Sequence, residues 1–173
     1  MTVIPVRQEQ SADHEAVYLI HLHAFKQAHE ADLVNALRNS QAFIPALSLV
    51  ALMDDKVVGH ILFTRIGIID GTASHESLAL APVAVEPAYQ RLGLGNALIR
   101  EGLSGARELG FKSVIVLGHE QYYPRFGFAP ASQWQIKAPF EVPENAFMAL
   151  ELVPGSLEGV SGTVKYAKEF EAV

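Results

Sequence analysis

Gln90-Arg91-Leu92-Gly93-Leu94-Gly95 is the stretch whose reading decides the fold. On its N-terminal side runs Ser77 to Val85, an apolar strand interrupted by Pro82. On its C-terminal side Leu94, Leu98, Gly102, Leu103, Ala106 and Leu109 recur at helical spacing, and Gly110 supplies a C-cap. The β-branched run Ser113-Val114-Ile115-Val116-Leu117 follows. Strand, helix, strand is a βαβ unit, so its two strands are expected to be parallel. Glycines at the strand–helix turn let the backbone approach a ligand closely. The first N–H groups of a helix have no intrahelical partner, and together with the helix dipole they form an anion site suited to a diphosphate. Arg91 adds a positive charge beside it. The stretch lacks the Gly-Lys-Ser/Thr ending of a P-loop, and Leu98 stands where the dinucleotide fingerprint needs a third glycine.

Upstream, Thr2–Arg7 reads as a first strand. Ser11-Ala12-Asp13 supplies N-cap chemistry for a helix whose inner face carries Val17, Ile20, Ala24 and Phe25. A second helix, Glu30 to Arg38, carries Ala31, Val34, Ala36 and Leu37. Leu47–Met53 and Val57–Phe63, joined by Asp54-Asp55-Lys56, read as a hairpin, and Asp70-Gly71 signals a further turn. Proline cannot donate to a ladder, so Pro82 leaves unpaired backbone groups at Val83, Ala84 and Val85 as an expectation. Downstream, Glu120–Arg125 reads as a short helix, Phe126-Gly127-Phe128 turns back into sheet, and Ala146–Leu152 is a last strand. The tail Pro154–Val173 carries Gly155, Gly159 and Gly162 and a short helix near Lys165–Phe170. The order predicts one mixed α/β domain over residues 1–173, with helices covering an open sheet, a core over about 2–152 and a C-terminal extension over 153–173.

Composition narrows the function. The absence of cysteine excludes disulfides, thiolate metal sites and a cysteine nucleophile. The N-terminus does not read as a signal peptide and no stretch is long and apolar enough to cross a bilayer, so a cytoplasmic protein without a membrane partner is expected. With a net charge of −6 and scattered basic residues, a broad nucleic-acid-binding face is not expected.

Three motifs in order then resemble the GNAT superfamily of N-acetyltransferases. Gln90–Gly95 resembles its Gln/Arg-x-x-Gly-x-Gly/Ala signature, Leu78–Val85 the strand before that signature, and Tyr122-Tyr123-Pro124-Arg125-Phe126-Gly127-Phe128 its Tyr-x-x-Phe/Leu-Gly-Phe element. The run Leu117–Phe128 is similar to that of the YhbS-like bacterial branch. The resemblance implies a mostly antiparallel sheet of six to seven strands with one parallel, splayed pair, flanked by about four helices.

It also implies acetyl-CoA as co-substrate and a primary amine as acceptor, attacking directly in a ternary complex. Pantetheine would lie on Val83, Ala84 and Val85, with the diphosphate on the amides of Arg91, Leu92, Gly93, Leu94, Gly95 and Asn96 and Gln90 at the entrance. A backbone N–H near Val83 would stabilise the oxyanion. Tyr123, four residues before Gly127, stands at the family's position for the general acid that protonates the leaving thiolate. Tyr122 reads as pocket wall or core. A dimer through the late strands is expected from the superfamily.

The base stays open among Glu30, His60, His75, Glu76, His119 and a water chain. His60 is expected to face outward on its strand, and Glu30, His119 and Tyr122 are candidate substrate contacts. Gly118-His119-Glu120 stands where many family members place an asparagine. His21 and His23, two apart on a helix, face different directions, so no metal is expected and surface placement is predicted for His14, His21, His23 and His29. Trp134 and Phe140 read as core residues, with a place in the lining of a substrate pocket as the alternative. The alternative reading is a non-catalytic acyl-CoA-binding regulatory module, favoured by the lack of an obvious base.

Overall fold

The long strands β2 (Phe43–Met53) and β3 (Lys56–Asp70) form the expected hairpin, turned by Asp54 and Asp55, both at positive φ. Two consecutive left-handed residues give the turn twist that matches flanking strands. The structure is a computed structural model and describes residues 3–171. Thr2 of the expected first strand lies outside the described residues, and β1 is Val6–Gln8. The helices α1 (His14–Phe25) and α2 (His29–Arg38) precede β2. β4 (Ala73–Val85) returns along β3, α3 (Leu94–Glu108) crosses over, and β5 (Ser113–Leu117) lies parallel to β4. Two short strands, β6 (Ala129–Pro130) and β7 (Ile136–Lys137), precede β8 (Phe147–Glu151) and β9 (Gly162–Lys165).

Among the described residues the sheet has nine strands, ordered β1-β2-β3-β4-β5-β8-β6, with β9 along β3 and β7 along β9. It is mixed and mostly antiparallel, as expected. The described residues hold more strands than the six to seven expected, because β6 and β7 are two-residue pairings and β9 comes from the tail. They hold three α-helices rather than about four. The predicted helix Glu120–Arg125 is a single tight turn over Tyr123–Phe126, stopped by Gly127 at φ 103°.

Alternation along β3 separates the two faces of the sheet. Ile61 and Phe63 pack with Leu94, Leu98 and Leu103 of α3. Leu62 packs with Val17, Leu33, Val34 and Leu37 of α1 and α2. Farther along that second face, Ile66 and Ile68 join Ala79, Ile115, Phe147 and Ala149, covered by Ala131, Ile136, Leu157 and Val164. The C-terminal segment therefore belongs to the core.

Two residues assigned to inner helix faces are exposed. Leu109 lies just past the last turn of α3 and is 51% exposed, and Phe25 closes α1 before left-handed Lys26 and is 38% exposed. Among the described residues no helix is long and apolar enough to cross a membrane.

Candidate functional site

β4 and β5 pair only at Leu78↔Val114 and Ala79↔Ile115. Beyond that point β4 continues along β3 through Val83↔Ile61, Ala84↔His60 and Val85↔Gly59. β5 turns to β8 through Val116↔Met148 and Leu117↔Phe147. The two parallel strands thus part, and the β3–β4 register shifts between Ile61 and Phe63, where Pro82 lies. The edge of β4 from Leu80 to Val85 faces the gap rather than a strand.

At the mouth of this gap lies a cavity of about 350 Å³, lined by Gln90, Arg91, Gly93, Leu94, Gly95 and Asn96 together with Val85, Tyr89 and Tyr122. Leu92 points outward and is exposed. Gly93 takes φ 90°, a conformation natural to glycine, and Arg91 φ 66°. The amide of Ala97 donates to the Gly93 carbonyl at 3.1 Å, closing the first turn of α3. The amides of Leu94, Gly95 and Asn96 come before it and point out of the helix end. Gln90 Nε2 donates to the Val85 carbonyl at 3.1 Å, tying the turn to the end of β4. Tyr122 donates its hydroxyl to Asn96 Oδ1 at 2.6 Å, and Arg125 stacks its guanidinium 4.5 Å from the Tyr122 ring centroid. Tyr122 is therefore part of the mouth itself. These groups fit a nucleotide thioester: a helix end for a diphosphate and an open strand edge for an amide-bearing arm.

Tyr123 sits behind Tyr122, packed edge-on against it and against Phe128 at ring distances of 5.1 and 5.7 Å. Burial first, and the neighbouring Tyr122 second, push its phenol up to about 12. It therefore holds its proton at neutral pH, as a general acid requires. Gly118 makes room for this ring: a Cβ there would lie 2.3 Å from Tyr123 Cε2.

The candidate bases separate. His75 and Glu76 lie on the far side of the paired residues Leu78 and Ala79, away from the gap, and Glu76 faces Arg65 at 3.8 Å. Glu30 accepts from the Gln27 amide at 3.0 and 3.3 Å near the start of α2. His119 is exposed, and its carbonyl accepts from the amides of Tyr122 and Tyr123 at 3.1 and 3.3 Å, so its backbone shapes the tyrosine turn.

Two histidine expectations are overturned. His60 and His21 are fully buried and hydrogen-bonded to each other at 2.8 Å. His60 points inward because Leu62, two residues on, shares its face and that face is roofed by α1. His21 falls four residues after Val17, on the inner stripe of α1; that spacing was the available signal. Sequence reasoning also missed Glu9, Ser48 and Arg38, which are hydrogen-bonded to this pair or to one another. Phe140 is likewise not in the core: it is 49% exposed and lines a cavity of about 800 Å³ with Lys137, Glu141, Glu144 and Phe147. Trp134 packs on the second-face cluster, as expected.

The profile of the Acetyltransferase (GNAT) family matches residues 10–128. The chain belongs to the GNAT family of N-acetyltransferases. It is 47% identical over 126 residues to the uncharacterized N-acetyltransferase YjhQ of Escherichia coli K12, covering 70% of this chain and 68% of that one. It is 31% identical over 166 residues to the uncharacterized N-acetyltransferase YhbS of the same strain, covering 95% and 97%. The crystal structure of E. coli YhbS in complex with CoA superimposes with a TM-score of 0.89, at 30% identity over 97% of this chain and 92% of that one. A GNAT family acetyltransferase from Brucella melitensis in complex with acetyl-CoA superimposes with a TM-score of 0.78, at 32% identity over 98% and 99%.

Proposed function

We propose that residues 1–173 act as one domain that moves the acetyl group of acetyl-CoA onto a primary amine by direct attack in a ternary complex. The observation that carries this reading is the parting of β4 and β5 beside an open helix N-terminus. The amides of Leu94, Gly95 and Asn96 bind the diphosphate, with Arg91 beside them, and the edge of β4 at Val83–Val85 pairs with the pantetheine amides. These contacts aim the acetyl carbonyl into the gap, where a backbone N–H near Val83 stabilises the oxyanion. Tyr123 protonates the leaving sulfur; its high pKa keeps the proton available until the thiolate forms. A cytoplasmic setting suits a cysteine-free chain of this kind.

The acceptor occupies the second face of the sheet. The Phe140–Phe147 cavity lies there, one strand from the gap, because Phe147 is the partner of Leu117. The test is calorimetry with coenzyme A, followed by thiol release from acetyl-CoA across a panel of primary amines. Micromolar binding and release with at least one amine are expected. Tight binding with no release for any amine would leave a regulatory module instead.

A further inference from the structure

The large cavity on the second face of the sheet extends toward the gap between β4 and β5. Phe147, part of its lining, is the register partner of Leu117 in an antiparallel pair, and directly opposed residues share a face. Leu117 therefore stands beside Phe147 on the second face, just past the last β4–β5 pairing at Ile115. It is 44% exposed, an apolar side chain open to solvent on the rim of the gap. The amide of Gly118 donates to the Ala146 carbonyl at 2.9 Å, so the segment before Phe147, with Glu144, lies along the same end of β5. Lys137 marks the opposite end of the cavity. Its register partner Thr163 opposes Ile69, at the end of β3 remote from the gap.

The lining has two chemistries. Phe147 is a buried floor, with Phe140 and Val142 as apolar walls. The Phe140 ring is stacked on Tyr166, with centroids 6.1 Å apart and planes within 15°. The half-exposed ring is thus braced on one face and offers the cavity an ordered apolar surface. The charged residues of the lining are Glu141, Glu144 and Lys137, two carboxylates and one ammonium, a formal sum of −1. Among the described residues none of the three is in an ion pair.

These features select among amines. The volume of about 800 Å³ is enough to enclose a whole small molecule. A single positive charge complements the lining. A second ammonium would have to lose water against the apolar walls. A carboxylate on the carbon that bears the amine would enter the gap end beside Glu144, a like charge, with Lys137 at the wrong end to receive it.

We infer that the acceptor is a primary amine with one positive charge on an apolar, ring-bearing body and no carboxylate beside the nitrogen. Its body lies between Phe140 and Phe147, its ammonium enters past Glu144, and Leu117 guides it into the gap. The inference rests on the acetyltransferase reading above and narrows it. The reaction is otherwise unchanged: the N–C bond forms, the C–S bond breaks, coenzyme A leaves as its thiol and one further proton goes to solvent.

The test compares phenethylamine, with the ring and a single charge, against phenylalanine, which adds the carboxylate, and cadaverine, which replaces the ring with a second ammonium. With the full chain and acetyl-CoA, kcat/KM for phenethylamine should exceed that for either of the others by at least about ten-fold. Phe140→Ala should raise the KM for phenethylamine about ten-fold and Glu144→Gln about three-fold, with the KM for acetyl-CoA within about two-fold of wild type in both. Glu144→Gln should also narrow the preference over phenylalanine, because the repelling charge is gone, whereas general damage would weaken all three amines alike. A wild type that prefers phenylalanine or cadaverine, or treats the three alike, overturns the inference, as does an unchanged KM in a folded Phe140→Ala protein. Should the variants fail to fold, the wild-type ranking decides alone. Absence of thiol release with every amine overturns the acetyltransferase reading instead. Calorimetry of the three amines on the coenzyme A-loaded chain then decides the ligand class of the cavity: phenethylamine binding tightest upholds it, and any other order overturns it.

Discussion

The mouth of the β4–β5 gap and the buried line from His21 to Glu9 flank the same strand, yet they are built from different materials. The mouth is largely backbone: amides at the start of α3, an unpaired strand edge, a glycine at φ 90°. The buried line is all side chain, drawn from the segment after β1 and from α1, α2, β2 and β3. A backbone site depends on chain conformation and tolerates many side chains. A side-chain network depends on every member at once, because losing one strands a buried charge or lone pair. Substitutions should therefore hit stability first on one side of β4 and ligand handling first on the other.

The largest effect is expected at the ion pair that anchors the buried line. Arg38→Met leaves the Glu9 carboxylate buried without its partner, and loss of about 3–5 kcal/mol in a denaturant titration is expected. Next comes Tyr123→Phe, with kcat lowered about 100-fold, near 2.7 kcal/mol, and coenzyme A affinity within about two-fold of wild type. Unchanged turnover would remove Tyr123 from the chemistry.

The helix behind the mouth offers a paired control. Gly102→Ala places a Cβ 2.2 Å from Phe63 Cε1, inside a fully buried ring, and should destabilise by about 1–3 kcal/mol. Gly105→Ala meets Leu47 at an ordinary 3.5 Å and should stabilise by up to about 1 kcal/mol through helix propensity. Equal thermal shifts for the two would break the packing account. Gly93→Ala has open space, with Ile4 Cδ1 the nearest atom at 3.8 Å, so its cost is conformational, about 1–2 kcal/mol. It should appear as roughly ten-fold weaker coenzyme A binding as the turn relaxes.

The smallest and most gradual effect is in pH. His21 and His60 are held at about 3, below the ordinary 6.5, so the folded state binds protons less readily than the unfolded one. Their contribution is complete above pH 6.5 and is lost as pH falls toward 3. Tyr123 acts at the other limit: raised to about 12 from 10, it leaves stability intact below pH 10 and erodes it between 10 and 12. Thermal midpoints across pH should show both slopes, and a Tyr123→Phe protein should lack its part of the alkaline one.

The same contrast explains what was legible. The mouth could be read because glycine, proline and a helix start are local signals: Pro82, Gly93 and Gly95 each constrain the chain at their own positions. The parallel β4–β5 pair followed from the strand–helix–strand order alone. The buried line could not be read in this way, because Glu9, His21, Arg38, Ser48 and His60 are joined only by folding, and nothing in alternation along β3 tells which face α1 will cover. His21 alone carried a usable sign, the helical spacing from Val17. β9 was missed for another reason: its four residues pair across the chain with Gly67–Ile69 rather than with a sequence neighbour.

That late strand reaches beyond its own length. β9 lies antiparallel to β3 and parallel to β7, and Gly162 lets its backbone come so close that a Cβ would sit 2.2 Å from the Ile69 carbonyl oxygen. Ile136 and Lys137 of β7, which line the large cavity, are thereby hung from the tail like a door on its hinge post. The breadth of that chamber is thus governed by a peptide some seventy residues beyond the glycine turn that opens α3, and shortening the chain ahead of Gly162 should unfasten its wall while sparing that turn.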